Sequence, residues 1–139
     1  MVNLDEPAPH FTVDPTKGKI SLSDYRGKWV VLFAYPADFT PICEADTIGF
    51  VKKKAEFDEL GVQFIGWSVD SVESHQKWIE EIEDRIGVKI DHPLIADVDK
   101  KLAETYSILH KTKAVTYRGI FIIDPDGILR FAATYPLEV

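Results

Sequence analysis

Trp29-Val30-Val31-Leu32-Phe33-Ala34-Tyr35-Pro36-Ala37-Asp38-Phe39-Thr40-Pro41-Ile42-Cys43 joins an apolar strand to the start of a helix. The run from Trp29 to Tyr35 is apolar at successive positions and rich in β-branched and aromatic residues, the pattern of a central strand covered on both faces. Thr40 is a good N-cap residue, and Pro41 then falls at the first helical position, where a missing N–H costs little. Cys43 therefore sits in the first turn, where unpaired backbone N–H groups and the positive end of the helix dipole favour an anion. The thiolate is the reactive form of cysteine. A free thiol has a pKa of about 8.5, which helix N-termini and nearby cations lower to roughly 3.5–7.5. A lone cysteine in a globular protein is ordinarily a buried, inert residue, but this position gives Cys43 a physical reason to be reactive. Three acids lie close by, Asp38, Glu44 and Asp46, and each would oppose a thiolate if its carboxylate faced the sulfur. No sequence neighbour of Cys43 is basic, so a cation must arrive from elsewhere in the fold.

Outward from this stretch, Pro7 to Asp14 reads as a short extended segment, Lys17-Gly18-Lys19 as a turn, and Ile20–Ser23 as the approach to the central strand. Ile42 to Leu60 has a helical pattern, with Ile48, Val51 and Ala55 facing inward and Gly61 as the stop. Val62–Val69 reads as a second strand. The next helix carries Val72, His75, Ile79, Ile82 and Ile86 on one stripe and ends at Gly87. Pro93-Leu94-Ile95 is a short extended piece, and Asp97–Ile108 holds a brief helix with Leu102, Ala103 and Tyr106 inward. Gly119–Ile123 and Ile128–Thr134 flank Asp124-Pro125-Asp126-Gly127, a strong hairpin turn. Strand–helix alternation followed by a hairpin predicts an α/β protein with a mixed central sheet flanked by helices, and a thioredoxin-like fold matches that order.

The 139 residues suit one globular domain, and 12% aromatic content argues against disorder. A formal charge of −7 with no basic stripe disfavours nucleic acid as a partner. No basic segment followed by an apolar stretch opens the chain, and no apolar run is long enough to span a bilayer, so neither a signal peptide nor a membrane partner is expected. With one cysteine no intrachain disulfide can form, and the reading is a reducing, cytoplasmic compartment. His10, His75, His92 and His110 are scattered, and His75 reads as a hydrogen-bonded core residue. No cluster has metal-ligand spacing, no phosphate-binding glycine loop occurs, and no cofactor is expected.

Pro36-x-x-x-Thr40-x-x-Cys43 resembles the signature Pro-x-x-x-Thr-x-x-Cys of the peroxiredoxins, thiol peroxidases in which that cysteine is the peroxidatic nucleophile. The similarity runs in order along nearly the whole chain, through Leu22–Phe33, Phe64–Ser71 with Trp78, and Tyr117–Gly127. Ser71-Val72-Glu73-Ser74-His75 with Trp78 leans towards the one-cysteine, peroxiredoxin-6-like branch. The resemblance implies a thioredoxin-like fold with an N-terminal extension, and reduction of hydrogen peroxide and organic hydroperoxides through a sulfenic acid recycled by an external thiol. It also implies site roles. Cys43 is the nucleophile. Thr40 binds the peroxide, beside or instead of acting as a plain N-cap. Arg118 supplies the missing cation and orients the oxygens, where otherwise it is an ordinary strand residue. Pro36 shields the sulfur, where otherwise it only ends a strand. A homodimer or higher homo-oligomer is implied, with the edge of Ile128–Thr134 as the contact. Two departures stand out: Asp46 replaces the glutamate of the family's Cys-x-x-Glu, and Tyr35 stands where the one-cysteine branch often has histidine. Family members typically continue past Val139, so residues 1–139 read as a single domain without the usual C-terminal extension, either naturally short or truncated. The competing class is a binding or holdase module that keeps the fold without peroxide turnover. A dithiol oxidoreductase is excluded because position 46 is Asp rather than Cys.

Overall fold

The computed structural model describes residues 2–13 and 18–136. Asp14 and Lys17, at which an extended segment and a turn were expected to end and begin, lie outside them, as do Leu137, Glu138 and Val139. The described elements are β1 (Thr12–Val13), β2 (Ile20–Ser21), a 3-10 turn (Leu22–Tyr25), β3 (Trp29–Ala34), α1 (Pro41–Lys52), α2 (Lys54–Glu59), β4 (Val62–Ser68), α3 (Val72–Ile86), β5 (Leu94–Ala96), α4 (Lys101–Thr105), β6 (Arg118–Ile123) and β7 (Leu129–Tyr135).

β1 and β2 form a small antiparallel pair, the N-terminal extension. The main sheet has the order β5-β4-β3-β6-β7 and is mixed. β3, apolar on both faces, takes the centre, parallel to β4 with Leu32 opposite Ile65 and antiparallel to β6 with Leu32 opposite Phe121. Alternation along the strands divides the core in two. One face gathers Val30, Leu32, Ala34, Ile65, Trp67, Phe121 and Ile123 beneath the N-terminal segment and α4, with Leu102, Ala103 and Tyr106 inward as the periodicity predicts. The other gathers Val31, Phe33, Tyr35 and Phe64 beneath α1 and α3, which contribute Cys43, Trp78 and Ile82. This is the expected thioredoxin-like arrangement. Among the described residues no helix is long and apolar enough to cross a membrane.

The two ends of α3 follow their sequence signals. Ser71 caps α3 by accepting from the Ser74 N–H at 3.1 Å, and Gly87 ends it at φ 79°, a left-handed conformation that glycine adopts without a Cβ penalty. In the β6–β7 turn, Asp124 accepts from the Asp126 and Ile128 N–H groups, each at 2.9 Å. The expected single helix over 42–60 is instead two, broken at Lys53. The fully buried positions of α1 are Cys43 and Thr47, with Ile48 and Val51 partly buried, whereas Ala55, placed inward by the periodicity, lies beyond the break and is exposed.

Candidate active site

α1 begins where β3 ends, so the loop 35–40 sits at one end of the sheet centre. β6 runs antiparallel to β3, and its first residue, Arg118, is therefore delivered to the same end. Arg118 lies two and four residues before Ile120 and Ile122, which pack on the face that holds Cys43, so alternation turns its side chain towards the sulfur. Arg118 Nη1 lies 3.5 Å from Cys43 Sγ, and both residues are buried, at 5% and 0% exposure. This is the cation that the chain around Cys43 does not supply.

Each nearby acid is paired with something other than the sulfur. Asp46 Oδ2 accepts from the same Arg118 Nη1 at 2.9 Å, so the shorter side chain at the family's glutamate position still reaches the guanidinium. Burial pushes the Asp46 carboxyl above the usual carboxylate range, and the adjacent Arg118 opposes that rise. Glu44 pairs with Arg85 on α3. Asp38 turns away into a buried cluster, bonded to Tyr35, Ser74 and His75. Burial first, and then the Asp38 charge and hydrogen bond, push the Tyr35 hydroxyl well above the usual tyrosine range.

Thr40 occupies the N-cap position with extended backbone, φ −108° and ψ 140°, and Pro41 follows at the first helical position. The expected capping bond from its side chain is not made: Thr40 Oγ1 donates to the Ala37 carbonyl at 3.1 Å, a bond that closes the preceding loop instead. Pro36 is half-buried at the start of that loop. His75 is the hydrogen-bonded core residue that its stripe indicates, with no exposed surface. Sequence spacing does not reveal that Asp38, Asp70 and His75 bring ligand-type atoms within 4.8 Å of one another. Those atoms are already committed, His75 Nδ1 to Asp38 and Asp70 Oδ2 to the Asp38 N–H and the Ser68 hydroxyl. The arrangement is an internal hydrogen-bond network.

The chemistry this geometry offers is that of a buried sulfur at a helix N-terminus with a guanidinium against it, positioned to carry negative charge and meet a small electrophile. Known proteins agree. The model of the AhpC/TSA family matches residues 4–132. A peroxiredoxin of Thermoplasma volcanium is 48% identical over 137 residues, which cover 99% of this chain and 68% of that protein. One from Pyrococcus horikoshii is 46% identical over 142 residues, covering 100% and 66%. Among solved structures, a cysteine-to-serine variant of peroxiredoxin 6 from Arenicola marina superposes with a TM-score of 0.94 at 31% identity, covering 100% of this chain and 67% of that one. A yeast mitochondrial 1-Cys peroxiredoxin, solved to address thiol resolution through glutathione and thioredoxin systems, gives 0.91 at 38% identity, covering 100% and 70%. With the signature around Cys43, the sheet order and these relatives in agreement, the chain belongs to the AhpC/TSA family, the peroxiredoxins.

Proposed function

We propose that Cys43 is the peroxidatic nucleophile of this thiol peroxidase, acting on hydrogen peroxide and organic hydroperoxides. The observation that carries the reading is the 3.5 Å contact between Arg118 Nη1 and Cys43 Sγ in a buried site. The Cys43 thiolate attacks the terminal oxygen of ROOH; an S–O bond forms, the O–O bond breaks, and RO⁻ leaves to take up a proton as water or an alcohol. The sulfur is thereby oxidised by two electrons to a sulfenic acid. An external thiol then forms a mixed disulfide with release of water, and a second thiol frees Cys43. Arg118 stabilises charge on the sulfur and on the leaving oxygen. Its Nε is buried and has no hydrogen-bond partner among the described residues, leaving a donor for a peroxide oxygen. Thr40, at the mouth of α1, hydrogen-bonds the substrate by turning its hydroxyl from the Ala37 carbonyl. Pro36 limits the access of water to the sulfur.

Stopped-flow mixing with hydrogen peroxide, with dimedone trapping and mass spectrometry, tests the assignment. One sulfenic acid forms per chain, at Cys43, and Cys43→Ser abolishes turnover. A Cys43→Ser protein with full activity ends it. The buried Cys43–Arg118 pair supports turnover rather than a binding or holdase module.

The finer setting is proposed with it. A free, reactive thiol suits a reducing, cytoplasmic compartment with a thiol or thioredoxin-type reductant. β7 is the last strand of the sheet, and it exposes Phe131 and Tyr135 at 45% and 37%. Asp5 and Glu6 pair with the β7 backbone at Leu129. The apolar stretch beyond it forms the sheet edge, and such an edge is ordinarily paired, which supports a homodimer through the later part of β7. Sedimentation shows a dimer at micromolar concentration if this holds, and only monomer if it does not.

A further inference from the structure

Asp38 stands midway between Pro36 and Thr40, in the loop that joins β3 to α1, and its side chain is 1% exposed. Oδ1 accepts from the Tyr35 hydroxyl at 2.7 Å and Oδ2 from the Ser74 hydroxyl at 2.8 Å. His75 Nδ1 lies 2.8 Å from Oδ2 and 3.0 Å from Oδ1. Across the ring, His75 Nε2 is 2.9 Å from the Ile95 carbonyl. A carbonyl only accepts, so Nε2 carries a hydrogen, and a further proton must lie between Nδ1 and the carboxylate. The Asp38 N–H donates to Asp70 Oδ2 at 2.9 Å, and the Ser68 hydroxyl donates to the same oxygen at 2.6 Å. One loop residue is thus held by its backbone and side chain to the end of β4 and the first turn of α3, and through His75 to β5.

The next residue shows what this anchorage opposes. Phe39 has φ 62°, a left-handed conformation costly for a bulky side chain, and it is 56% exposed, so burial does not offset the strain. The restraint comes from its neighbours, Asp38 on one side and the Thr40-to-Ala37 bond on the other. Buried charge pairs are poor stabilisers, and apolar residues of similar volume often do as well for stability alone. Apolar packing cannot, however, fix the direction of a loop backbone as directed hydrogen bonds do.

We propose that Asp38 and His75 are positioning residues for the peroxide reaction. Their buried carboxylate–imidazole pair holds loop 36–40 in the strained shape that fixes the start of α1, and so the sulfur, against Arg118. The inference rests on Cys43 being the nucleophile.

The test compares wild type with His75→Leu, His75→Asn and the double variant Tyr35→Phe/Ser74→Ala. For each, the rate of Cys43 oxidation by hydrogen peroxide is read beside its rate of alkylation by iodoacetamide, which needs a reachable sulfur but no aligned peroxide. His75→Leu and the double variant are expected to lose about ten- to a hundredfold in the peroxide rate while alkylation holds or rises, because misplacement of about 1 Å costs that much in an oriented reaction. His75→Asn, which keeps a side-chain N–H for Asp38, recovers most of the loss. If His75→Leu does not fold, the double variant carries the test, since it removes two donors and almost no volume. Wild-type peroxide rates in the folded variants overturn the proposal, as does an equal loss of peroxide and alkylation rates. A wild-type protein inert to peroxide instead overturns the assignment of Cys43.

Discussion

Cys43 and Arg118 are 75 residues apart in the chain, yet their side chains meet at 3.5 Å. Antiparallel pairing makes this possible, because β3 ends and β6 begins at the same end of the sheet, with Ala34 opposite Gly119. The same guanidinium nitrogen also serves Asp46 at 2.9 Å, so one atom links sulfur and carboxylate.

Replacing Arg118 by lysine separates charge from shape. Lysine keeps the charge as a point on a flexible stem and loses the planar fork that serves two acceptors. Hydrogen bonds to charged groups are worth about 1.5–3 kcal/mol, so Arg118→Lys is expected to slow Cys43 oxidation by roughly ten- to a hundredfold. Stopped-flow fluorescence with hydrogen peroxide measures it; equal rates would mean that charge alone suffices.

Gly66 in β4 stands opposite Leu94 of β5, and a Cβ placed there would lie 2.5 Å from Leu94 Cδ2. Leu94 is fully buried and has little room to yield. Gly66→Ala is therefore expected to destabilise the fold by about 1–3 kcal/mol, the usual cost of overpacking. Urea unfolding reads the change as a lower midpoint, and an unchanged midpoint would show that β5 gives way freely.

The β6–β7 turn sets an acid limit. Hydrogen bonds from the Ile128 N–H and then from Arg130 and the Asp126 N–H hold the Asp124 carboxyl below the usual carboxylate range. A depressed folded-state value means that the unfolded chain takes up the proton first. The contribution of Asp124 is thus complete above its unfolded pKa of about 3.9, and is lost as pH falls through the lower folded value. Asp124→Asn lowers the denaturation midpoint at pH 7, and the gap from wild type narrows as pH falls below the unfolded value. A gap constant with pH would remove Asp124 from the account.

The residues that act locally are legible in the sequence. Thr40-Pro41 announces a helix start and so places Cys43 in its first turn, and Asp124-Pro125-Asp126-Gly127 announces the hairpin. Arg118 enters only through family resemblance, because nothing beside an arginine marks a partner 75 residues away. Asp38 illustrates the same limit: in sequence it is an acid close to the sulfur, whereas in space it turns to His75, 37 residues on. The break at Lys53 falls in Val51-Lys52-Lys53-Lys54-Ala55, which has neither Gly nor Pro to signal it. Thr40 has the residue type of a capping side chain, but its hydroxyl is drawn to a carbonyl that only the folded loop brings near.

The β3–β6 pairing also sets which alterations of chain length this protein can survive. Residues inserted in the exposed stretch 111–114 between α4 and β6 would lengthen a connection without moving either partner of the reactive contact. A single residue added within β6 after Arg118 would shift that side chain by about 3.3 Å and turn it to the opposite face, where it would meet Trp67 and Phe121 instead of sulfur. Natural variation in length should therefore gather in the connecting segments, while the spacing from Arg118 to Ile123 stays invariant.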